Sequence, residues 1–332
     1  MDPAIILVFI VVLMALSFDF INGFHDTANA IATSISTKAL TPRIAIILAS
    51  TMNLVGALTF TGVAKTIGGQ IADPFVLENG LVVVLVALIS AIFWNLVTWY
   101  YGIPSSSSHA LIGSLAGAVV TAAGLSGVNL AGFVNIIEAL ILSPFVAFAV
   151  GYVIMSVLRF FFKNANPQPT NRGFRLLQIF TAAFQAFSHG TNDAQKSMGI
   201  ITFALIAGGL HTTLDIPFWV KLSCAIAMAL GTSVGGWRII KTVGGKIIKL
   251  QPMSGFASDV TSATVILTAT ALGQPVSTTH VISSAIMGVG SAKSFYSVKW
   301  GTAQKMVTAW LITLPITSFI AGLLYLVAAI FI

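Results

Sequence analysis

Long apolar runs dominate the chain, and polar residues are concentrated in a few short segments between or within them. Examples of such runs are 5–16, 81–94 and 312–332, and none of them alternates between apolar and polar residues. Continuous runs are typical of membrane-spanning helices, which need about 20 residues, whereas a β-barrel shows alternating polarity. Because backbone in lipid must satisfy its own hydrogen bonds, the pattern predicts an all-α polytopic membrane protein.

The apolar runs divide into ten segments that group into two sets of five. The segments are 4–37, 44–61, 81–101, 109–123 and 135–158 in the first set, and 176–209, 218–237, 254–273, 280–292 and 306–332 in the second. Polar residues lie inside the first segment of each set, which predicts interrupted helices there. The fourth segment of each set is short or polar, which predicts a re-entrant hairpin near the membrane midplane.

Three short motifs occur twice, in the same order. Residues 23–27, 65–71 and 104–109 match residues 190–194, 241–247 and 275–280. The offsets, about 167, 176 and 171 residues, are close to half of the 332-residue chain, which indicates an internal duplication. The matches predict two membrane repeats, 1–158 and 176–332, joined by a polar linker at 159–175. The middle pair is interpreted as loops near helix ends.

Charge is scarce and unevenly placed, which predicts how the repeats are oriented. Only 8% of the residues are charged, with a net charge of +7, against about 25% charged residues in soluble domains. Basic residues cluster in 38–43, 159–175, 238–249 and 293–305. The segments of the other half that correspond to 38–43, 238–249 and 293–305 carry few basic residues or none. If basic loops face the cytoplasm, the linker is cytoplasmic, both termini are outside and the second repeat is inverted. The basic charge then reports orientation in the plasma (inner) membrane, and no nucleic-acid partner is expected.

A polar segment at 20–30 lies inside the first apolar run. Asp26 and Asn29 are three residues apart and share a helix face, and Gly23 permits a break or a close approach beside them. An ionised carboxylate in a membrane costs about 2.5–3.5 kcal/mol even on insertion scales. That cost indicates a cation or a proton at Asp26, with simple helix capping at the membrane interface as the alternative.

The second copy of this segment, at 188–197, keeps the acid but adds a base. Asp193 matches Asp26, and Lys196 lies three residues after Asp193 and four after Asn192. Lys196 either offers its charge to an anion or neutralises Asp193 in an intrahelical ion pair, and the spacing leaves both open.

The proline motifs place hydroxyl groups at the start of a new apolar helix in each half. Proline ends the preceding helix, serine and threonine cap the next one, and a helix N-terminus binds anions. Phosphate has four oxygens and needs many donors, which hydroxyls from two sides could supply; plain capping is the alternative. These hydroxyls belong to Ser105, Ser106, Ser107, Ser108, Ser277, Thr278 and Thr279.

Histidines accompany both motifs, but they do not form a metal pattern. The spacing of His25, His189, His109 and His280 is not that of a zinc site, so hydrogen-bonded structural roles are expected. The single Cys224 excludes a disulfide framework. No G-x-x-x-x-G-K-[ST] motif occurs, so ATP drive by this chain is not expected. No cofactor is predicted.

At these residues the chain resembles the inorganic phosphate transporter (PiT) family, and its bacterial branch in particular. The resemblance rests on 20–33 and 189–199, and residues 298–300, 309–310 and 314–315 fit the C-terminal region of the family. It covers nearly the whole chain. It implies a secondary active transporter that imports inorganic phosphate with a cation, through two inverted halves in the lipid bilayer.

The resemblance also implies roles for individual residues. The coupling cations would bind Asp26, Asn29, Asn192 and Asp193, with Na+ at the two acids. Phosphate contacts, some shared with a cation, would come from Ser105, Ser106, Ser107, Ser108, Gln195, Ser277, Thr278 and Thr279. Supporting positions would be Gly23, His25, Thr27, Gly190, Lys196, His109 and His280. The family includes sodium-coupled and proton-coupled members, and the oxygen-rich residues favour sodium.

Several alternatives stay open at this point. Another tetrahedral oxyanion such as sulfate could bind the same donors, and proton-coupled uptake of a metal–phosphate complex fits the same motifs. A passive channel would need a continuous polar path, and a membrane enzyme acting on phosphorylated lipid would need a nucleophile–base arrangement that the spacing does not provide. Gly113, Gly117 and Gly208 permit close helix packing, within one chain or in a homodimer.

Overall fold

The computed structural model describes residues 3–75 and 77–331, and these residues form twelve α-helices and two short 3₁₀ helices without a β-strand. The predicted all-α class is confirmed. Residues 1, 2, 76 and 332, which include both chain ends and the last residue of predicted segment 306–332, lie outside the described part.

The helices follow the same order in both halves. Those of the first half are α1 Pro3–Ser36, α2 Pro42–Ala57, α3 Gly62–Gly69, α4 Gly80–Tyr101, α5 Ser107–Ala123 and α6 Leu130–Phe162. Those of the second half are α7 Pro167–Ala207, α8 Phe218–Val234, α9 Trp237–Gly245, α10 Pro252–Ala271, α11 Thr278–Lys293 and α12 Trp300–Ala328. Only 163–166 of the predicted linker lie outside a helix, because α6 and α7 extend into it from both sides.

The apolar surface and the lengths of the helices are those of a membrane protein. α1, α4, α6 and α12 are each long and apolar enough to cross a membrane. The pairs α2–α3 and α8–α9, bent by 70° and 74°, would form two further broken spans or re-entrant segments. Large apolar side chains such as Phe93, Phe145 and Leu311 are exposed, whereas the polar motif residues are buried, which is the reverse of a soluble protein.

Two local expectations are wrong. α1 and α7 continue through the polar segments that were expected to interrupt them, because the polar side chains there bond to neighbouring helices and the backbone stays helical. The chain breaks instead at 102–106 and 272–277, just before α5 and α11. The matched motifs at 65–71 and 241–247, expected as loops, lie largely within the short helices α3 and α9.

Glycines at equivalent positions allow the two halves to interlock. A Cβ atom on Gly23 of α1 would overlap backbone atoms of α8 around Gly231, and one on Gly231 would overlap the Phe20 carbonyl. The same crossing recurs between α7 and α2, where Gly190 and Gly56 face backbone atoms of the opposite helix. Close approach, and not a helix break, is therefore the structural role of Gly23 and Gly190.

Gly231→Ala should destabilise the protein by about 1–3 kcal/mol, because the added methyl group has no space against the α1 backbone. The matched control is Gly173→Ala in α7, where a Cβ meets nothing within 4 Å and alanine favours the helix. The measurement is thermal unfolding of the detergent-purified proteins. Equal melting temperatures for the two variants would contradict the packing argument.

The glycines considered for a homodimer contact the same chain. Gly113 and Gly117 of α5 face the backbone of α12, and Gly208 faces Val8 of α1. Their small size is accounted for by packing within one chain, so the homodimer stays a prediction that these glycines do not support.

Candidate functional site

The polar segments of α1 and α7 meet the first residues of α5 and α11 in the interior of the protein. Asp26 and Asp193 are 1% and 0% exposed, and the motif hydroxyls around them are equally buried. Because no part of this cluster reaches solvent, a ligand can reach or leave it only if the helices around it move apart.

The first group of residues, which we call the Asp26 half-site, consists of His25, Asp26, Asn29, Ser107 and Thr279. Asp26 accepts hydrogen bonds from the hydroxyls of Ser107 and Thr279, the latter at 3.0 Å. The Nδ1 atom of His25 is 2.7 Å from the same carboxylate, and the Asn29 amide donates to Thr279 Oγ1 at 2.8 Å. The donor set thus comes from α1, α5 and α11, and joins the two halves of the chain.

The second group, the Asp193 half-site, consists of Asn22, His189, Asp193, Lys196 and Thr278. The Lys196 ammonium donates to Asp193 Oδ1 at 2.5 Å, and both side chains are fully buried. Thr278 and Asn22 donate to Oδ2 at 3.2 and 3.3 Å, and His189 Nε2 lies 3.3 Å from it. This carboxylate therefore has a lysine ammonium beside it.

The duplication seen in the sequence extends to individual hydrogen bonds. Ser107 and Thr278 occupy the same place in their motifs, and each donates to the acid of its own half. The residue before each acid also contacts an equivalent threonine, which lies on α4 in the first half and on α10 in the second. His25 Nε2 lies 3.1 Å from Thr98 Oγ1, and the Asn192 amide donates to Thr270 Oγ1 at 3.0 Å.

The remaining motif hydroxyls have structural partners. Ser106 and Ser277 cap α5 and α11 by accepting from the backbone N–H groups of His109 and His280, at 3.0 and 3.3 Å. Ser105 donates to Thr98 Oγ1 at 2.7 Å, and Ser108 donates to the Val276 carbonyl at 2.9 Å. Capping and acid contacts thus occur side by side in the same two motifs.

The hydrogen bonds of Gln195 go to backbone groups and not to the two acids. Its Oε1 atom accepts from the Ala64 N–H of α3 at 3.1 Å, and its Nε2 atom donates to the Thr191 carbonyl at 2.5 Å. These bonds fix α3 against α7. A role in phosphate binding stays a prediction for this residue.

The other supporting residues lie around the two half-sites. The rings of His109 and His280 are 4.5 Å apart, and His280 stacks on Trp310 at 4.0 Å. Thr27 Oγ1 is 3.1 Å from Thr232 Oγ1 and accepts from Asn53 at 2.9 Å. Within residues 3–75 and 77–331, no three His, Cys, Asp or Glu side chains form a group suited to a metal ion.

A buried acid outside both half-sites was not identified from the sequence. Asp259 of α10 is 1% exposed and accepts from Thr33 at 2.5 Å and from Gln178 and Thr181 at 3.3 Å. The sequence contains a feature that could have identified Asp259, because an acid inside the apolar segment 254–273 is as unusual as Asp26. It was missed because this position has no partner in the repeated motifs.

Comparison with known proteins gives consistent matches along the chain. The family described as "Phosphate transporter family" matches residues 22–171 and again 162–321. A probable low-affinity inorganic phosphate transporter of Bacillus subtilis is 60% identical over 328 residues, 98% of each chain. One of Rhizobium meliloti, with the same description, is 44% identical over 95% of this chain and 94% of its own. A solved structure described as the sodium-dependent phosphate transporter superposes with a TM-score of 0.88 at 26% identity, covering 98% of this chain and all of the other.

Proposed function

The chain belongs to the phosphate transporter family, and we propose that it imports inorganic phosphate together with a cation, sodium in preference to a proton, by alternating access. It is a phosphate transporter and not an enzyme, in line with the family and its relatives. The observation that carries the proposal is a pair of buried acids, each bonded by hydroxyls from the N-terminus of a helix that follows a break in the chain.

Charge explains why transport would be coupled. Two unit charges 4 Å apart interact by about 4 kcal/mol at an effective dielectric constant of 20, so the Asp26 carboxylate repels an anion in the same site. A cation bound first at Asp26 removes this repulsion and attracts phosphate. The site that holds both ions carries less negative charge than a site that holds phosphate without the cation, and can pass through the closed state more easily than that state.

Hydroxyl and backbone N–H groups at α5 and α11 would hold the phosphate. Both helices begin at the buried cluster, so the positive ends of their dipoles point into it. Ser107, Thr278 and Thr279 have their hydroxyls on the acids in this structure, and they can turn to phosphate once a cation takes over the carboxylates. Neutral donors of this kind bind an anion without the strong retention expected from several arginines.

Oxygen chemistry supports sodium as the coupling ion. Asp26, Asn29 and Thr279 offer carboxylate, amide and hydroxyl oxygens, which are the ligands that hard cations prefer. The structurally similar transporter is described as sodium-dependent. A proton would instead be taken up by the His25–Asp26 pair, whose Nδ1 and Oδ1 atoms are 2.7 Å apart.

Basic loops support a fixed orientation in the inner membrane. The connection between the halves is flanked by Arg159, Lys163, Arg172 and Arg175, and this pattern favours a cytoplasmic connection with both termini outside. Labelling of an introduced cysteine tests this orientation. Lys163→Cys is the probe, and the unmodified protein, in which Cys224 is buried, is the control. Labelling of Lys163→Cys by an impermeant reagent in intact cells would contradict the orientation.

The test of the function is uptake of radiolabelled phosphate into proteoliposomes under an inward sodium gradient, an inward proton gradient, or neither. We expect accumulation above equilibrium with sodium. Accumulation only under the proton gradient would support phosphate symport with a proton, and not sodium, as the coupling ion. Equilibration without accumulation would indicate a channel, and uptake of sulfate or of a metal–phosphate complex in place of free phosphate would overturn the substrate.

A further inference from the structure

Among the equivalent positions at which the two half-sites differ, one brings a lysine ammonium into the second half-site alone. Asn29 follows Asp26 by three residues, and Lys196 follows Asp193 by three residues. Asn29 donates to Thr279 and leaves its Oδ1 atom buried without a hydrogen-bond partner in the described structure. Lys196 places an ammonium 2.5 Å from the Asp193 carboxylate, with no exposed surface on either side chain.

We propose that the Lys196 ammonium is a tethered cation, which permanently takes the place that a free coupling cation occupies in the Asp26 half-site. The Asp193 half-site then binds no free cation, and each transport cycle carries one cation fewer than two equivalent half-sites would. This inference rests on the proposed cation-coupled function. It adds that the Asp26 half-site binds the free coupling cation, whereas Lys196 supplies the positive charge in the Asp193 half-site.

Saturation of the Asp193 carboxylate supports this inference. Lys196 neutralises its charge, and Thr278 and Asn22 donate hydrogen bonds to the second oxygen at 3.2 and 3.3 Å. A buried ion pair persists only where such additional bonds satisfy the remaining lone pairs. A free cation in the same place would have to displace a covalently attached one, which loses no translational freedom on binding.

The Asp26 half-site has the opposite character. Ser107 and Thr279 are neutral donors to its carboxylate, and a neutral imidazole ring of His25 can donate its Nδ1 proton. None of these three carries an obligatory positive charge. The unpartnered Asn29 oxygen adds an acceptor on the same face of α1, which is the complement that a free cation needs.

The decisive variant is Lys196→Asn, which copies the residue found at the equivalent position of the first half. Phosphate accumulation is measured at steady state in proteoliposomes, with the membrane potential clamped at zero and a tenfold inward gradient of whichever cation drives the unmodified protein. Each additional coupled cation raises the phosphate ratio about tenfold, because its gradient contributes about 1.4 kcal/mol. We expect Lys196→Asn to raise the ratio by that factor and Lys196→Arg to leave it unchanged.

An unchanged ratio in a Lys196→Asn protein that still transports would overturn the tethered-cation assignment. A weaker phosphate affinity with an unchanged ratio would overturn it too, and would assign Lys196 to the anion. The unmodified protein reports separately on the proposed function, because its failure to accumulate phosphate would count against symport itself.

Equilibrium dialysis with Na+ as the probe tests the inference without transport. Purified Lys196→Asn protein, shown to be folded by its elution profile, should bind one more Na+ per chain than the unmodified protein. Asn29→Lys provides the reciprocal variant, and should bind one Na+ fewer. Equal and non-zero numbers of bound Na+ in all three proteins would overturn the assignment, whereas no bound Na+ in any of them would count against sodium in the proposed function.

Discussion

Asp26→Asn is expected to reduce cation-driven phosphate uptake by about 10²- to 10³-fold while leaving membrane insertion intact. The amide keeps the size of the side chain, and its one oxygen can still accept from either Ser107 or Thr279, but it lacks the negative charge to which the proposed cation would bind. Loss of an interaction of about 4 kcal/mol corresponds to nearly three orders of magnitude in occupancy. The measurement is initial uptake in proteoliposomes under the driving gradient, normalised to the amount of inserted protein.

Asp215→Asn is the matched control. Asp215 lies in the exposed connection before α8, where its hydrogen bond from the Lys65 ammonium, at 2.6 Å, lowers the pKa of its carboxyl group. It is therefore charged, but it faces solvent, and its conversion to an amide should leave uptake unchanged. Uptake by Asp26→Asn at the level of Asp215→Asn would remove Asp26 from the coupling mechanism.

Two features of the architecture could be read directly from the sequence. Apolar run length predicted the all-α membrane class, and the matched motifs predicted two halves of the same helix order. The interruption expected in α1 does not occur, because Gly23 can either break a helix or admit a neighbouring backbone. Only the position of Gly231, more than 200 residues away, decides between these two.

The acids and hydroxyls that cluster in the structure were predicted as candidates from the sequence, but their pairing was not, and their binding roles stay predictions. The motifs identified Asp26, Asp193 and the serines and threonines that surround them, because charge and hydroxyl groups inside apolar runs are conspicuous. Ser107 donates a hydrogen bond to Asp26, whereas Ser106 caps α5. Which serine takes which role depends on the rotation of one helix against another. Asn22 was missed as a partner of Asp193 because the contact joins opposite halves of the chain.

The closed cluster bears on the rival functions. A passive channel needs a continuous wetted path, whereas Asp26, Asp193 and the hydroxyls around them have almost no exposed surface. A buried site with paired helix N-termini is what alternating access requires, since its occupants are released only after a rearrangement. Helices of both halves contact each other around the cluster, since α1 crosses α8 and α7 crosses α2.

Asp193→Asn is expected to destabilise the protein, in contrast to Asp26→Asn. Removing one partner of a buried ion pair leaves the other charge uncompensated and costs about 3–5 kcal/mol. The stranded group here is the Lys196 ammonium, which has no exposed surface. The expected fall in melting temperature is about 6 °C or more, measured on detergent-purified protein. Asp26→Asn leaves no lysine ammonium unpaired, and should melt closer to the unmodified protein.

The double variant Asp193→Asn/Lys196→Met separates charge from hydrogen bonding. Methionine fills much of the volume of the lysine chain without its charge, so the double variant should recover more than half of the stability lost in Asp193→Asn. Recovery would show as a coupling energy in the double-mutant cycle, as expected for two side chains 2.5 Å apart. A double variant as unstable as Asp193→Asn would instead assign the loss to the hydrogen bonds from Thr278 and Asn22, which both variants weaken alike.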